Sequence, residues 1–273
     1  MSEKSGFELR ALDLSELKTH RSEKWRSFPE DVLPLPVAEM DFPVAEPIRR
    51  ILREMVETSD LGYLGPIPEL GRAFSGFAER RWGWKADAAQ VRIAADVGVG
   101  VVEVLRVITQ PGDKILINSP VYPNFWTWCA ETKLEQVDVP FSQAPEEVDG
   151  SHWVLDWDGI EKAYASGIKA HLISNPHNPL GKVFTRQELT RFADLAKKYG
   201  VYVLSDEIHA PLTSSGRMQT IHSKGFAQQK ELMAWLPMIN RSPFGVLLLQ
   251  ALQQELQMRT VVIFSPMLDL TRS

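Results

Sequence analysis

Four short segments combine residues able to hold a charged or heterocyclic ligand. In Asp96-Val97-Gly98-Val99-Gly100 a glycine-rich turn opens a helix. Open backbone N–H groups and the positive end of a helix suit such a turn to a phosphate. A tight strand-to-helix turn with no ligand uses the same residues. The pattern lacks the third glycine of a dinucleotide fingerprint, because position 103 is Glu. Asn175-Pro176-His177-Asn178-Pro179-Leu180-Gly181 is a loop stiffened by two prolines, and its Asn178 amide can face a cleft or serve the turn itself. Ser205-Asp206-Glu207-Ile208-His209 follows the most apolar strand-like run of the chain. A carboxylate ending a buried strand needs a partner. A protonated heterocyclic nitrogen, an arginine or a helix N-terminus would each serve. Asp206, Glu207 and His209 are also metal-ligating types, but no H-E-x-x-H or paired-His spacing accompanies them. The remaining segment is Asn118–Tyr122, which ends in an aromatic ring.

These segments require elements that bring them together. The pattern predicts strands at 91–95, 114–118, 134–139, 170–174 and 201–204, the last running into Ser205. It predicts helices at 47–58, 68–82, 99–109, 122–132, 158–165 and 185–199. Thr185 and Glu188 form a T-x-x-E capping box, and Gly200 sits just past that helix. Apolar strands alternating with helices imply an α/β fold, a mainly parallel sheet with helices on both faces. Ligands bind such sheets beyond the carboxyl ends of their strands, where all four segments lie. Residues 1–45 read as a proline-punctuated N-terminal segment and 46–216 as the sheet-bearing domain. Past Gly216 the character changes: SSGRMQTIHSKGFAQQ (214–229) is polar, and residues 217–273 stand apart as a tail. A helix at 244–258 and an apolar stretch at 260–264 are foreseen there, with no clear continuation of the alternation.

Composition narrows the class. Hydrophobic residues make up 44% and charged residues 24% of 273, as in a globular protein. The net charge of −5 offers no general attraction to nucleic acid or to anionic membranes. No apolar run spans a bilayer, and the N-terminus has no signal-peptide core. A single cysteine, Cys129, excludes an intramolecular disulfide. A cytoplasmic protein is expected.

Taken together, SEKW (22–25), VAEMDFP (37–43), GY (62–63), GVV (100–102), PGDKILINSPVYPNF (111–125), NPHNPLGKVFTRQEL (175–189) and SDEIHA (205–210) resemble the MalY/PatB type of C–S lyase. That group is a branch of the class I/II aminotransferases that uses pyridoxal 5′-phosphate (PLP). The resemblance implies a PLP-dependent transferase-like large domain acting on a small sulfur amino acid such as cystathionine or a cysteine S-conjugate. The substrate would lose its Cα proton and β-thiolate, yielding pyruvate, ammonia and a thiol; transamination is the neighbouring activity. It further implies that Gly100, Val101 and Val102 give N–H groups to the phosphate and that Tyr122 stacks on the pyridine. Asn178 would bond the phenolic oxygen, Asp206 would pair with the pyridine nitrogen, and His209 would lie near the phenolic oxygen. Tyr63 would reach the phosphate of a neighbouring subunit in a homodimer.

Two departures stand out. The family pattern W-V-A-D-M-D-F reads Pro36-Val37-Ala38-Glu39-Met40-Asp41-Phe42 here. The Schiff-base lysine, carried in the family by an S-x-S-K-x-x-N-like segment, has no counterpart after Gly216, and neither does the small domain with its carboxylate-binding arginine. His222-Ser223-Lys224-Gly225 is an echo set too close to Asp206, and Lys230 has no motif around it. A truncated large domain is therefore expected. It would keep the cofactor cradle or act as a non-catalytic binder of PLP or a partner.

Overall fold

The computed structural model describes residues 10–36, 39–63, 66–148 and 151–213, with the backbone of two strands at 233–234 and 260–263. The chain divides into two compact units between residues 65 and 66.

In the first unit, α1 (Leu14–Leu17) and α2 (Glu23–Arg26) are single turns. The buried Lys24 ammonium lies 2.8 Å from both carboxylate oxygens of Asp41 and donates to the Glu39 carbonyl at 3.1 Å. Ser22 Oγ donates to Glu39 Oε1 at 2.6 Å. The SEKW and AEMD segments thus hold each other, and a buried ammonium without such a partner would be costly. The longer Glu side chain at position 39 is used to reach Ser22. After these, α3 (Glu46–Glu57) carries Pro47 in its first turn, where no N–H is needed.

The second unit opens with α4 (Pro68–Trp82), which stops at Gly83 as its sequence foretells. The strand expected at 91–95 does not form. Those residues run extended but only partly buried, and no described strand lies beside them to complete a ladder. Beyond them come α5 (Val97–Ile108), β1 (Lys114–Ile117), α6 (Asn124–Glu131) and β2 (Glu135–Asp138). An antiparallel hairpin of β3 (Ser142–Val148) and β4 (Ser151–Val154) follows, unforeseen because its strands are mostly solvent-exposed and lack an apolar face. The core then resumes with α7 (Trp157–Ala165), β5 (Ile168–Ser174), α8 (Arg186–Tyr199) and β6 (Tyr202–Asp206). The capping box at Thr185 and Glu188 is present, and Gly200 closes α8 with φ 73, a conformation that a side chain would strain.

Two more strands, β7 (Met233–Ala234) and β8 (Thr260–Ile263), complete a six-stranded sheet in the order β2-β1-β5-β6-β8-β7. Every neighbouring pair in it is parallel. β8 falls within the apolar stretch foreseen at 260–264, and Asp206 of β6 stands opposite its Ile263. A four-residue strand far along the chain gives little periodic signal, and its place is set by long-range pairing. The helix read at 244–258 lies outside the described residues.

Alternate residues of the strands face two separate cores. Ile115, Ile117, Leu172 and Leu204 pack with Val101, Leu105 and Phe125 of α5 and α6. Leu116, Ile173 and Val203 pack with Ile160, Tyr164, Leu189 and Phe192 of α7 and α8. Helices therefore cover both faces, which explains why the strands read as unbroken apolar runs.

Candidate functional site

The sheet order dictates where a ligand can enter. From β1 the chain moves outward to β2, then returns across β1 to place β5 on its other side. The strand order thus reverses between β1 and β5, and the loops beyond their carboxyl ends diverge to leave a crevice. Those loops are 118–122 and 175–181, and β6 ends beside them with Asp206 opposite Ser174. The Asn175 N–H donates to the Asp206 carbonyl at 2.9 Å, which ties the second loop to the strand end.

Asp206 is the electrostatic centre of this edge. It is 6% exposed, and the one polar contact of its carboxylate among the described residues is the Ile208 N–H, which donates to Oδ1 at 3.1 Å. No described cation pairs with it. Burial pushes its carboxyl up to about 6, while the Ile208 amide pulls the other way. A buried carboxylate so weakly compensated is suited to a cationic partner brought by a ligand. No group of three or more His, Cys, Asp or Glu among the described residues is arranged to hold a metal ion, so the metal reading of Asp206, Glu207 and His209 gains no support.

Around it, Asn178 anchors its backbone N–H on Ser174 Oγ at 3.2 Å and leaves its side-chain amide without a partner among the described residues. Tyr122 is partly exposed, meets Trp128 edge-on at 6.1 Å and accepts at its hydroxyl from Asn124 Nδ2 at 2.9 Å. His209 is half-buried, and burial lowers its pKa. Tyr63, in the first unit, is fully exposed.

At the start of α5, Asp96 caps the helix by accepting from the Val99 N–H at 2.8 Å. Gly100 donates to the Asp96 carbonyl at 3.1 Å, and Val101 and Val102 lie within the helical ladder. The N–H groups with no intrahelical acceptor are those of Val97 and Gly98. Gly98 is required by packing, since a Cβ there would lie 2.6 Å from Trp128 Nε1 and 2.9 Å from its Cε2. Position 98 was legible as part of a glycine turn, but its contact with an indole thirty residues on was not.

Lysines bear on the chemistry because the resemblance implies a reactive one. Lys182, in the Asn178 loop, is 3% exposed and clamped at 2.9 Å by Glu188 of the capping box, so its amine is not free to react. Lys224 and Lys230 lie outside the described residues. After β8 the sequence reads Phe264-Ser265-Pro266-Met267-Leu268, with no lysine from there to the end.

The model of the family "Aminotransferase class I and II" matches residues 30–232, running past Gly216. Cystathionine beta-lyase of Corynebacterium glutamicum is 36% identical over 208 residues, covering 76% of this chain and 54% of that protein. Cystathionine beta-lyase PatB of Bacillus subtilis is 30% identical over 191 residues, covering 70% and 48%. The solved structure of the PLP-bound C–S lyase from Staphylococcus hominis superposes with a TM-score of 0.66 at 26% identity, covering 77% of this chain and 53% of that one. The chain thus spans about half the length of the relatives it matches. On the extent of the family match and the fold it shares, this chain belongs to the class I and II aminotransferase family.

Proposed function

We propose that this chain carries the cofactor-binding part of a PLP-dependent C–S β-lyase acting on cystathionine or a cysteine S-conjugate. The observation that carries the reading is Asp206, a buried carboxylate with no described cationic partner at the carboxyl edge of a parallel sheet. The residues present fit PLP. Asp206 would hold the pyridine nitrogen protonated, the open Asn178 amide would donate to the phenolic oxygen beside His209, and the Tyr122 ring would stack on the pyridine. The phosphate would meet the start of α5. There Val97 and Gly98 offer N–H groups, and Gly100, Val101 and Val102 contribute through their aligned peptide dipoles. When bound, PLP supplies an electron sink for the pair released as the substrate loses its Cα proton. Asp206 supports that sink by keeping the ring nitrogen protonated, while the other residues orient and anchor. Tyr63 would serve a neighbouring subunit of a homodimer. A single buried thiol, Cys129, is in keeping with a cytoplasmic location.

A second reading, PLP binding without turnover, is favoured by the clamped state of Lys182. Incubating the full chain with PLP and cystathionine, and coupling pyruvate to lactate dehydrogenase, separates the two. Pyruvate release that scales with protein supports the lyase. Amino transfer to a keto acid without pyruvate would mark an aminotransferase. Saturable PLP binding with neither activity would leave the binding role alone.

A further inference from the structure

A chain of buried polar groups crosses the sheet at the point where the strand order reverses. Tyr164 of α7 bonds His171 Nδ1 at 2.8 Å, and His171 Nε2 bonds Asn118 Oδ1 at 2.7 Å. Asn118 in turn donates from Nδ2 to the Val139 carbonyl at 2.7 Å. The directions follow from that last bond. Because the Asn118 amide nitrogen faces a carbonyl, its oxygen is the acceptor. His171 must then donate from Nε2 and accept at Nδ1, and the Tyr164 hydroxyl donates. His171 is completely buried, flanked by Tyr164 and Phe192, and burial lowers its pKa to about 3, so it stays neutral in this single tautomer. A hydrophobic residue would pack there equally well; the neighbouring positions of the same strand face are apolar.

Both site loops hang from this chain. Asn118 is the first residue of the loop that ends at Tyr122, and the next residue, Ser119, is fixed by its N–H and hydroxyl to Asp138 at 3.0 and 2.6 Å. From the other side of the crevice, the His177 ring lies beside the Asn118 backbone, and its Nδ1 is buried without a hydrogen-bond partner. His177 is the residue before Asn178. Its own N–H donates to the Lys182 carbonyl and its carbonyl accepts from the Gly181 N–H, both at 2.7 Å. Thus Asn118 is bonded to β5 through its side chain, and its backbone lies beside the ring that precedes Asn178.

We propose that His171 is a positioning residue that locks Asn118 in one orientation and thereby sets the spacing between the Tyr122 loop and the Asn178 loop. Without the His171 donor, the Asn118 side chain is free to turn and its backbone to shift against the His177 ring. The loops then sample separations in which the Tyr122 ring and the Asn178 amide no longer address one ligand. This inference rests on the cofactor reading for the identity of that ligand, and on geometry alone for the locking.

The test compares wild type, His171→Leu, His171→Gln and Tyr164→Phe as full chains. Hydrogen–deuterium exchange of residues 118–122 and 175–182 without ligand reads the locking, and PLP titration followed by tryptophan fluorescence reads its consequence. Gln presents one donor and one acceptor, so we expect H171Q to keep wild-type protection and affinity. H171L should lose protection in both loops together and bind PLP about tenfold or more weakly, as expected when a buried acceptor is orphaned. A folded H171L with unchanged loop exchange and unchanged PLP affinity would overturn the proposal. Should H171L fail to fold, Y164F, which removes the hydroxyl alone, decides the matter. Faster exchange in both loops supports the locking, and wild-type exchange overturns it. Failure of the wild type to bind PLP would overturn the cofactor reading instead, and the exchange data would still decide the role of His171.

Discussion

At the scale of single residues, Asp206 sets up an opposition between stability and binding. Its carboxyl titrates near 6 in the folded chain against 3.8 for an ordinary aspartate. The folded state therefore holds the proton more tightly than the unfolded one. Asp206 favours folding below about pH 4, and that advantage is lost as pH rises through 6. At pH 8, Asp206→Asn should stabilise the ligand-free chain by about 1–3 kcal/mol in urea denaturation, with the gain vanishing near pH 4. The same substitution should weaken PLP binding, since a neutral amide cannot hold the ring nitrogen protonated. Histidines act in the opposite sense. Burial brings His171 down to about 3, and burial with help from the Lys182 ammonium brings His177 down to about 4. Their contribution is complete above pH 6.5 and is lost as pH falls toward these values, at up to about 1.4 kcal/mol per pH unit for each ring. Urea midpoints measured from pH 7 to 4 should fall, and His171→Gln should flatten the profile. A profile unchanged by that substitution would show that His171 does not remain neutral.

At the scale of elements, the helices and strands that make the crevice were mostly legible, and the contacts that tune it were not. The α8 boundaries followed from the Thr185–Glu188 capping box and Gly200, and β5 and β6 from unbroken apolar runs; these are local or periodic signals. The edge that carries Asn118, Asn178 and Asp206 was legible because parallel sheets place ligands at their carboxyl ends. The links of His171 to Asn118 and of Gly98 to Trp128 join residues distant in sequence, and no pattern announces them. The failed strand at 91–95 has the complementary cause, since local apolarity suggested a ladder for which no partner strand was at hand. Gly98 gives this scale its own test. Gly98→Ala should cost about 1–3 kcal/mol through overpacking against the Trp128 indole, read by urea denaturation. Adding Trp128→Leu should recover much of that loss, whereas strictly additive effects would show that the indole is not the obstacle.

At the scale of the whole molecule, the chain couples a well-built cradle to a site with no accessible amine among the described residues of its loops. The family match runs past Gly216 to residue 232, and β6 pairs with β8 beyond it. PLP should be held at this edge by Asp206, Asn178, Tyr122 and the start of α5. The most direct measurement is the absorption spectrum of the full chain titrated with PLP, before and after borohydride reduction, followed by gel filtration and peptide mapping. We expect a saturable spectral change that Asp206→Asn abolishes. No saturable change in the wild type, or one indifferent to Asp206, would contradict the assignment of this edge as the cofactor site.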